Sequence, residues 1–244
     1  MRRITLSVAV CVAAVLTFRI WATHARLSAT KSGTTPVTIV YLIKNFDESG
    51  APARSDILVR AFRSDGSRSQ YRVDTGGRAP IRSVTNYEQR VQASIDALTK
   101  TMIRHPVGAG PRIPATCESA WGGGNCQGPV PDVIAGFSLE RVVQREAEFV
   151  HEFLVAPTLD YKPLRRIARS AEGSLVQEWT AIDVQSGEPD AALFQIPSGY
   201  DVVTRDVYYQ RGMEARSKSP DPDLVERFRL LEEGRVPVPG CGKK

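Results

Sequence analysis

The sequence predicts a mainly β fold, a curved antiparallel sheet or half-barrel with a short C-terminal helix, and three observations carry that reading. Apolar side chains alternate with polar ones, as at Phe149, His151, Phe153 and Val155, which is the period of a half-buried strand. Gly- and Pro-based turns separate these runs at short intervals, Asp65-Gly66 and Ala171-Glu172-Gly173-Ser174 among them. After Val203 the period of two gives way to helical spacing.

The first 25 residues read as a signal peptide. Arg2 and Arg3 precede an apolar run from Ile4 to Phe18, and Thr23-His24-Ala25 offers a small-residue cleavage site. The run is shorter than the ~20 residues that cross a bilayer. An uncleaved anchor is the competing reading and the sole membrane attachment expected. Cleavage would remove Arg2, Arg3 and Arg19 and no acid, so the formal charge of +5 would fall by three. The high pI therefore owes much to the leader, and a nucleic-acid partner is not expected. About 219 residues would remain, enough for one sizeable core.

Residues 26–36 form a polar linker, and residues 37–203 the β domain. Val37 to Phe46 is apolar on both faces and reads as a central strand covered on two sides. Asp56 to Arg63 and Arg68 to Asp74 flank the Asp65-Gly66 hairpin, and Ile81 to Thr85, Arg90 to Asp96 and Lys100 to His105 continue the pattern. Arg60, Arg68, Arg72, Arg82, Arg90 and Arg104 recur along these strands. They suit a solvated sheet face, or a basic face for anionic lipid or cell-wall polymer.

Residues 106–132 are expected to be a long loop without elements of its own, rich in Pro and Gly, with Trp121-Gly122-Gly123-Gly124 between Cys117 and Cys126. Two cysteines nine apart, with no second pair and no nearby histidine, do not make a metal site. In an exported chain a Cys117–Cys126 disulfide is expected, although Cys241 is an alternative partner for either cysteine. Ile134 to Val143 is a further strand. Strands then follow at Phe149–Val155, ended by Ala156-Pro157, at Pro163–Arg169 and at Leu175–Val184. Leu193 to Pro197 packs back before a short run at Tyr200–Val203. In the tail, residues 204–244, Asp206 to Arg216 reads as a frayed helix. Leu224 to Glu233 reads as a second one, capped by Ser219-Pro220 and stopped by Gly234. Its stripe of Leu224, Phe228 and Leu231 is expected to dock on the sheet, since so short a helix is marginal alone.

No catalytic constellation is legible. His105 stands before a proline and His151 on an apolar strand face, where a hydrogen-bonded structural role is expected. No G-x-S-x-G elbow occurs, and Glu140, Glu148 and Glu178 are strand-borne carboxylates with nothing to mark a cleft. No catalytic residue, metal ligand or cofactor is therefore assigned.

The segments Glu152-Phe153-Leu154-Val155-Ala156-Pro157-Thr158-Leu159 and Gly187-Glu188-Pro189-Asp190 through Leu193-Phe194-Gln195-Ile196-Pro197-Ser198-Gly199-Tyr200, with Ser94 to Thr101 as an earlier hairpin, resemble a family of uncharacterised secreted bacterial proteins. That family is remotely similar, in strand order, to periplasmic lipoprotein-carrier-like half-barrels. The resemblance spans Val37 to Val203 and implies a fold and a periplasmic or secreted location; it supplies no catalytic residues.

The leading function is then a non-catalytic envelope module that binds a lipid, a lipidated protein or a partner protein on an apolar concave sheet. Ile39, Tyr41, Phe62, Phe149, Phe153 and Trp179 are the candidate ligand-binding residues of that face, which must be covered by helix, loop or ligand. A secreted hydrolase whose site assembles only in three dimensions is the alternative, and a purely structural β-sandwich the third reading. Oligomeric state is not legible.

Overall fold

Alternation becomes pleat along twelve strands, which hydrogen-bond into one long, curved, open sheet. The computed structural model describes residues 33–74, 81–108, 110–111, 113–122 and 124–218. The expected leader, most of the linker, the helix at Leu224–Glu233 and Cys241 lie outside the described residues.

The strands are β1 (Val37–Phe46), β2 (Pro52–Phe62), β3 (Arg68–Asp74), β4 (Ile81–Asn86), β5 (Val91–Asp96), β6 (Thr101–Pro106), β7 (Asn125–Ile134), β8 (Phe137–Arg145), β9 (Phe149–Ala156), β10 (Lys162–Ser170), β11 (Leu175–Ser186) and β12 (Asp201–Val202). Their order across the sheet is β12-β6-β5-β4-β3-β2-β1-β11-β10-β9-β8-β7. Each half is a meander, as short turns dictate, and β1 joins the halves by pairing antiparallel with both β2 and β11. Among the described residues the one parallel pair is β12 on β6. Register shifts at Val40/Tyr41, at Ala168/Arg169 and between Pro163 and Arg165 insert extra residues. Such bulges bend a strand and increase its twist.

β1 is buried on both sides, as expected for a central strand. Val37, Ile39, Tyr41 and Ile43 pack with Leu58, Leu139, Leu154, Leu159 and Leu164 in the largest apolar cluster. Val40 packs on the opposite side with Ile57 and Val59. A third cluster joins Ala61, Val84, Ala93, Ile95 and Met102 to Phe194. Phe194 lies in a 3₁₀ turn (Ala191–Phe194) where the Asp190 side chain caps the Ala192 N–H, so the segment after Gly187-Glu188-Pro189 packs back as expected.

Residues 106–132 differ from the expected bare loop. Cys117–Trp121 is a short helix, α1, capped at Thr116 by reciprocal hydrogen bonds with Ser119, and β7 begins at Asn125. β7 contains Gly128, Pro129 and Pro131, residues that argue against a central strand but are tolerated at an edge. It is the edge of the sheet, and its ladder to β8 breaks at two places. The predicted frayed helix is a 14-residue helix, α2 (Arg205–Lys218). No described helix is long and apolar enough to cross a membrane.

Candidate functional site: a trough between the sheet and the C-terminal helix

Strand register places one row of residues across the sheet: Ile39 opposite Arg60, Arg60 opposite Gln70, Gln70 opposite Ser83, and Ser83 opposite Ser94. A neighbouring row runs Leu58, Arg72, Ile81, Asp96. Directly opposed residues share a face. The face that carries the main core at β1 and β2 therefore becomes polar and basic over β3, β4 and β5.

α2 crosses this polar part. Among its described side chains Tyr208 and Gly212 are buried, while Tyr209 and Met213 are 52% and 69% exposed. Between helix and sheet lies a cavity of about 580 Å³, bounded by Arg72, Ile81, Ser94, Tyr208, Tyr209 and Met213, a size typical of small-molecule sites. Ile81, 44% exposed, contributes an apolar strand residue to its floor. A smaller cavity of about 270 Å³ lies beside Arg60, Phe62 and Arg68 and shares Gln70 and Ser83 with the first. The two form one trough: under the helix Ile81, Tyr208, Tyr209 and Met213 supply apolar surface beside the polar strand residues Arg72, Ser94 and Asp96, and Arg60 and Arg68 stand at the far end.

That cationic end is built on aromatic rings. The Arg60 guanidinium lies 5.0 Å from the ring centre of Trp179 and 5.8 Å from that of Tyr41, and Arg166 lies 4.9 Å from Trp179. Guanidinium–aromatic stacking offsets part of the cost of removing these charges from water. Arg60 Nε donates to Gln70 Oε1 at 2.9 Å, Arg68 Nε to Thr85 Oγ1 at 3.2 Å, and Arg166 Nη1 to Gln177 Oε1 at 3.1 Å. Burial holds the pKa of Arg60 below its ordinary value, and the nearby charge of Arg68 adds to the effect. Arg166 is lowered in the same way, by burial and then by Arg60.

The six sequence-predicted binding residues do not form one apolar surface. Ile39 and Tyr41 are fully buried in the main core, with Trp179 and Phe62 half-buried against it. Phe62 lines the smaller cavity. Phe153 belongs to another cluster with Cys117, Val142 and Val155. The Trp121 ring of α1 covers it, the two centroids being 4.4 Å apart. Phe149 stacks on His151 at 6.0 Å. The Cys117–Cys126 disulfide is formed and ties α1 to β7 beside this cluster.

His151 is buried, with Nδ1 3.3 Å from Arg166 Nη2 and Nε2 3.7 Å from Glu146. Burial, then the positive charge of Arg166, lowers its pKa, with Glu146 opposing. It sits as a hydrogen-bonding structural residue would. Among the described residues no group of three His, Cys, Asp or Glu could hold a metal ion.

Sequence reasoning missed the trough itself. The recurrence of Arg60, Arg68 and Arg72 was its visible signal, since those positions share a face in the register. The helical roof had none, because α2 is polar along most of its length and no sequence spacing says where it crosses the sheet.

No family model matches the chain, and no curated protein matches it. Solved structures do. An uncharacterized conserved protein from Thermus thermophilus is similar at 13% identity and a TM-score of 0.50, over 75% of this chain and 99% of that one. MucB in the MucA/MucB complex of Pseudomonas aeruginosa is similar at 14% identity and a TM-score of 0.44, over 71% of this chain and 60% of that one. A putative outer membrane lipoprotein-sorting protein domain from Vibrio parahaemolyticus is similar at 8% identity and a TM-score of 0.24, over 72% and 90%. At such identity the likeness to the Thermus protein is one of fold.

Proposed function

We propose that the protein is a non-catalytic binding module of the cell envelope that holds a lipid acyl chain in the trough between α2 and the face of β3–β5. The observation that carries this reading is the cavity of about 580 Å³, roofed by Tyr208, Tyr209 and Met213 and floored in part by Ile81. Exposed apolar side chains converging on one cavity are costly unless something apolar covers them. An envelope location is supported by the disulfide, which persists in oxidising compartments, and by the basic, apolar N-terminal segment. Of the residues expected to bind, Phe62 lines the trough directly, while Tyr41 and Trp179 support the arginine at its end.

Mass spectrometry of small molecules co-purified with the protein from its native envelope tests the reading. An acyl-chain lipid is expected. The double variant Ile81→Glu/Met213→Glu should abolish binding of an uncharged apolar dye such as Nile red while leaving the strand signal in circular dichroism unchanged. A protein that carries no lipid, and whose dye binding is indifferent to these charges, overturns the proposal.

A further inference from the structure

We infer that the ligand of the trough is a single-chain amphiphile with an oxyanion head, a carboxylate or a phosphate monoester, held at Arg60 and Arg68. The inference rests on the acyl-chain reading above and adds the chemistry of the head. It follows from which arginines have carboxylate partners. Arg54 and Arg72 are tied to Asp56, Arg63 to Glu188, Arg141 to Glu152, Arg165 to Glu178 and Arg211 to Asp201. Arg60, Arg68 and Arg166 are ion-paired to no carboxylate among the described residues; Arg82, Arg90, Arg104, Arg145, Arg169 and Arg205 are not either, but of these nine Arg60 and Arg68 are the ones that border the trough. The hydrogen bonds of Arg60, Arg68 and Arg166 go to Gln70, to Thr85, and to Gln177 and His151. Arg166 Nε is buried with no partner among the described residues.

These three are also close enough to repel one another, Arg68 acting on Arg60 and Arg60 on Arg166. Partly buried like charges are unfavourable: Arg60 and Arg166 are half-buried and Arg68 is exposed, and apart from Glu146, whose charge offsets part of that of Arg166, the groups they meet are neutral acceptors and aromatic faces. An oxyanion seated beside Arg60 and Arg68 would accept charge-assisted hydrogen bonds from guanidinium forks and relieve the repulsion at once. Position supports the same ligand. Arg60 and Arg68 border the smaller cavity, which meets the larger one at Gln70 and Ser83. A chain lying under α2 thus presents its head to the two arginines. Arg166, behind Trp179, acts through the field and the indole and is a positioning residue.

The test compares ligands that share a 12-carbon tail, titrated below micellar concentration into the whole exported protein and followed by calorimetry. Dodecanoate and dodecyl phosphate carry the two oxyanion heads, dodecanol and dodecyl maltoside are uncharged, and acetate and inorganic phosphate supply heads without a tail. At least one charged compound should bind about 10-fold or more tightly than both uncharged ones, as expected for a charge-assisted contact at a partly desolvated site. Arg68→Gln, at an exposed position where folding is not at stake, and Arg60→Gln should each reduce that preference several-fold. Preference for dodecanoate would point to free fatty acid, and preference for dodecyl phosphate to a phosphorylated lipid head. Equal binding of charged and uncharged compounds, or a preference that survives both variants, overturns the head assignment and leaves the acyl-chain reading standing. Inorganic phosphate or acetate binding as tightly as its dodecyl counterpart makes this a free-anion site and overturns the amphiphile. If no tailed compound binds, the acyl-chain reading fails and this inference with it.

Discussion

Tyr41 Oη donates a hydrogen bond of 2.6 Å to the main-chain carbonyl of Pro163, 122 residues away. The two residues lie on β1 and β10, strands that do not pair, so the bond reaches over the intervening β11. Pro163 stands where the β9–β10 ladder shifts register, a place where a carbonyl can leave the ladder and need another donor. The phenol is buried, and burial raises its pKa far above the ordinary value, so it remains a donor at any working pH.

Tyr41→Phe keeps the ring and deletes this donor. It should cost about 1–2 kcal/mol, the usual penalty for leaving a buried carbonyl unsatisfied. Urea unfolding followed by far-ultraviolet circular dichroism measures it; an unchanged midpoint would mean that water replaces the phenol.

The disulfide should matter mainly through the unfolded chain. Replacing Cys117 and Cys126 by serine is expected to cost about 2–3 kcal/mol for a loop of this size. α1 should also loosen from Phe153, because Trp121 is held there by its ring contact and by its indole N–H bond to the Tyr161 carbonyl. A red shift in tryptophan emission under native conditions would report that loosening. Protein that keeps both its stability and its emission after the double substitution would show the bond to be dispensable.

His151 makes stability depend on pH. Its folded pKa is held below the ordinary value by burial and by Arg166. Below about 6.5, the ordinary histidine pKa, the unfolded chain therefore binds a proton that the folded chain resists. Stability contributed by the neutral form is complete above that pH and declines as pH falls through the folded pKa. Unfolding midpoints measured from pH 8 to pH 5 should fall for the native protein and fall less for His151→Phe. Parallel curves for the two proteins would remove His151 as the cause. Binding measured at pH 8 should survive the substitution, since His151 does not line the trough.

Gly66 is expected to reject any side chain. Its φ of +85° is natural to glycine alone, and a Cβ there would lie 1.9 Å from the Pro111 ring. Gly66→Ala should cost about 1–3 kcal/mol from backbone strain and displacement of the loop. Calorimetric melting of the variant measures it. A melting temperature equal to that of the native protein would show that Pro111 moves aside freely.

Much of the architecture follows from local rules. The strand period at Phe149–Val155, the Asp65-Gly66 hairpin, the stop at Ala156-Pro157 and the two-sided apolar pattern of Val37–Phe46 each depend on residues within a few positions of one another. The sequence alone determined a curved antiparallel sheet with β1 as a central strand, and a helix after Val203. α1 and β7 escaped because Gly128, Pro129 and Pro131 imitate a loop. Only an edge position, known once the whole sheet is ordered, makes a strand of them.

The candidate site is of another kind. Ile39, Tyr41 and Phe153 are apolar on alternating positions, and periodicity cannot distinguish a residue that faces a ligand from one that faces another strand. The tertiary structure alone decided that Leu58, Leu139 and Leu164 bury Ile39 and Tyr41, that Trp121 covers Phe153, and that α2 crosses β3–β5. It also decided which arginines meet carboxylates, and that Arg60 and Arg166 stack on the Trp179 ring instead. Strand pairing is a short-range consequence of pattern and turn. The packing of distant segments across a face is settled by the volume and charge those segments bring together, and that sum is written nowhere along the chain.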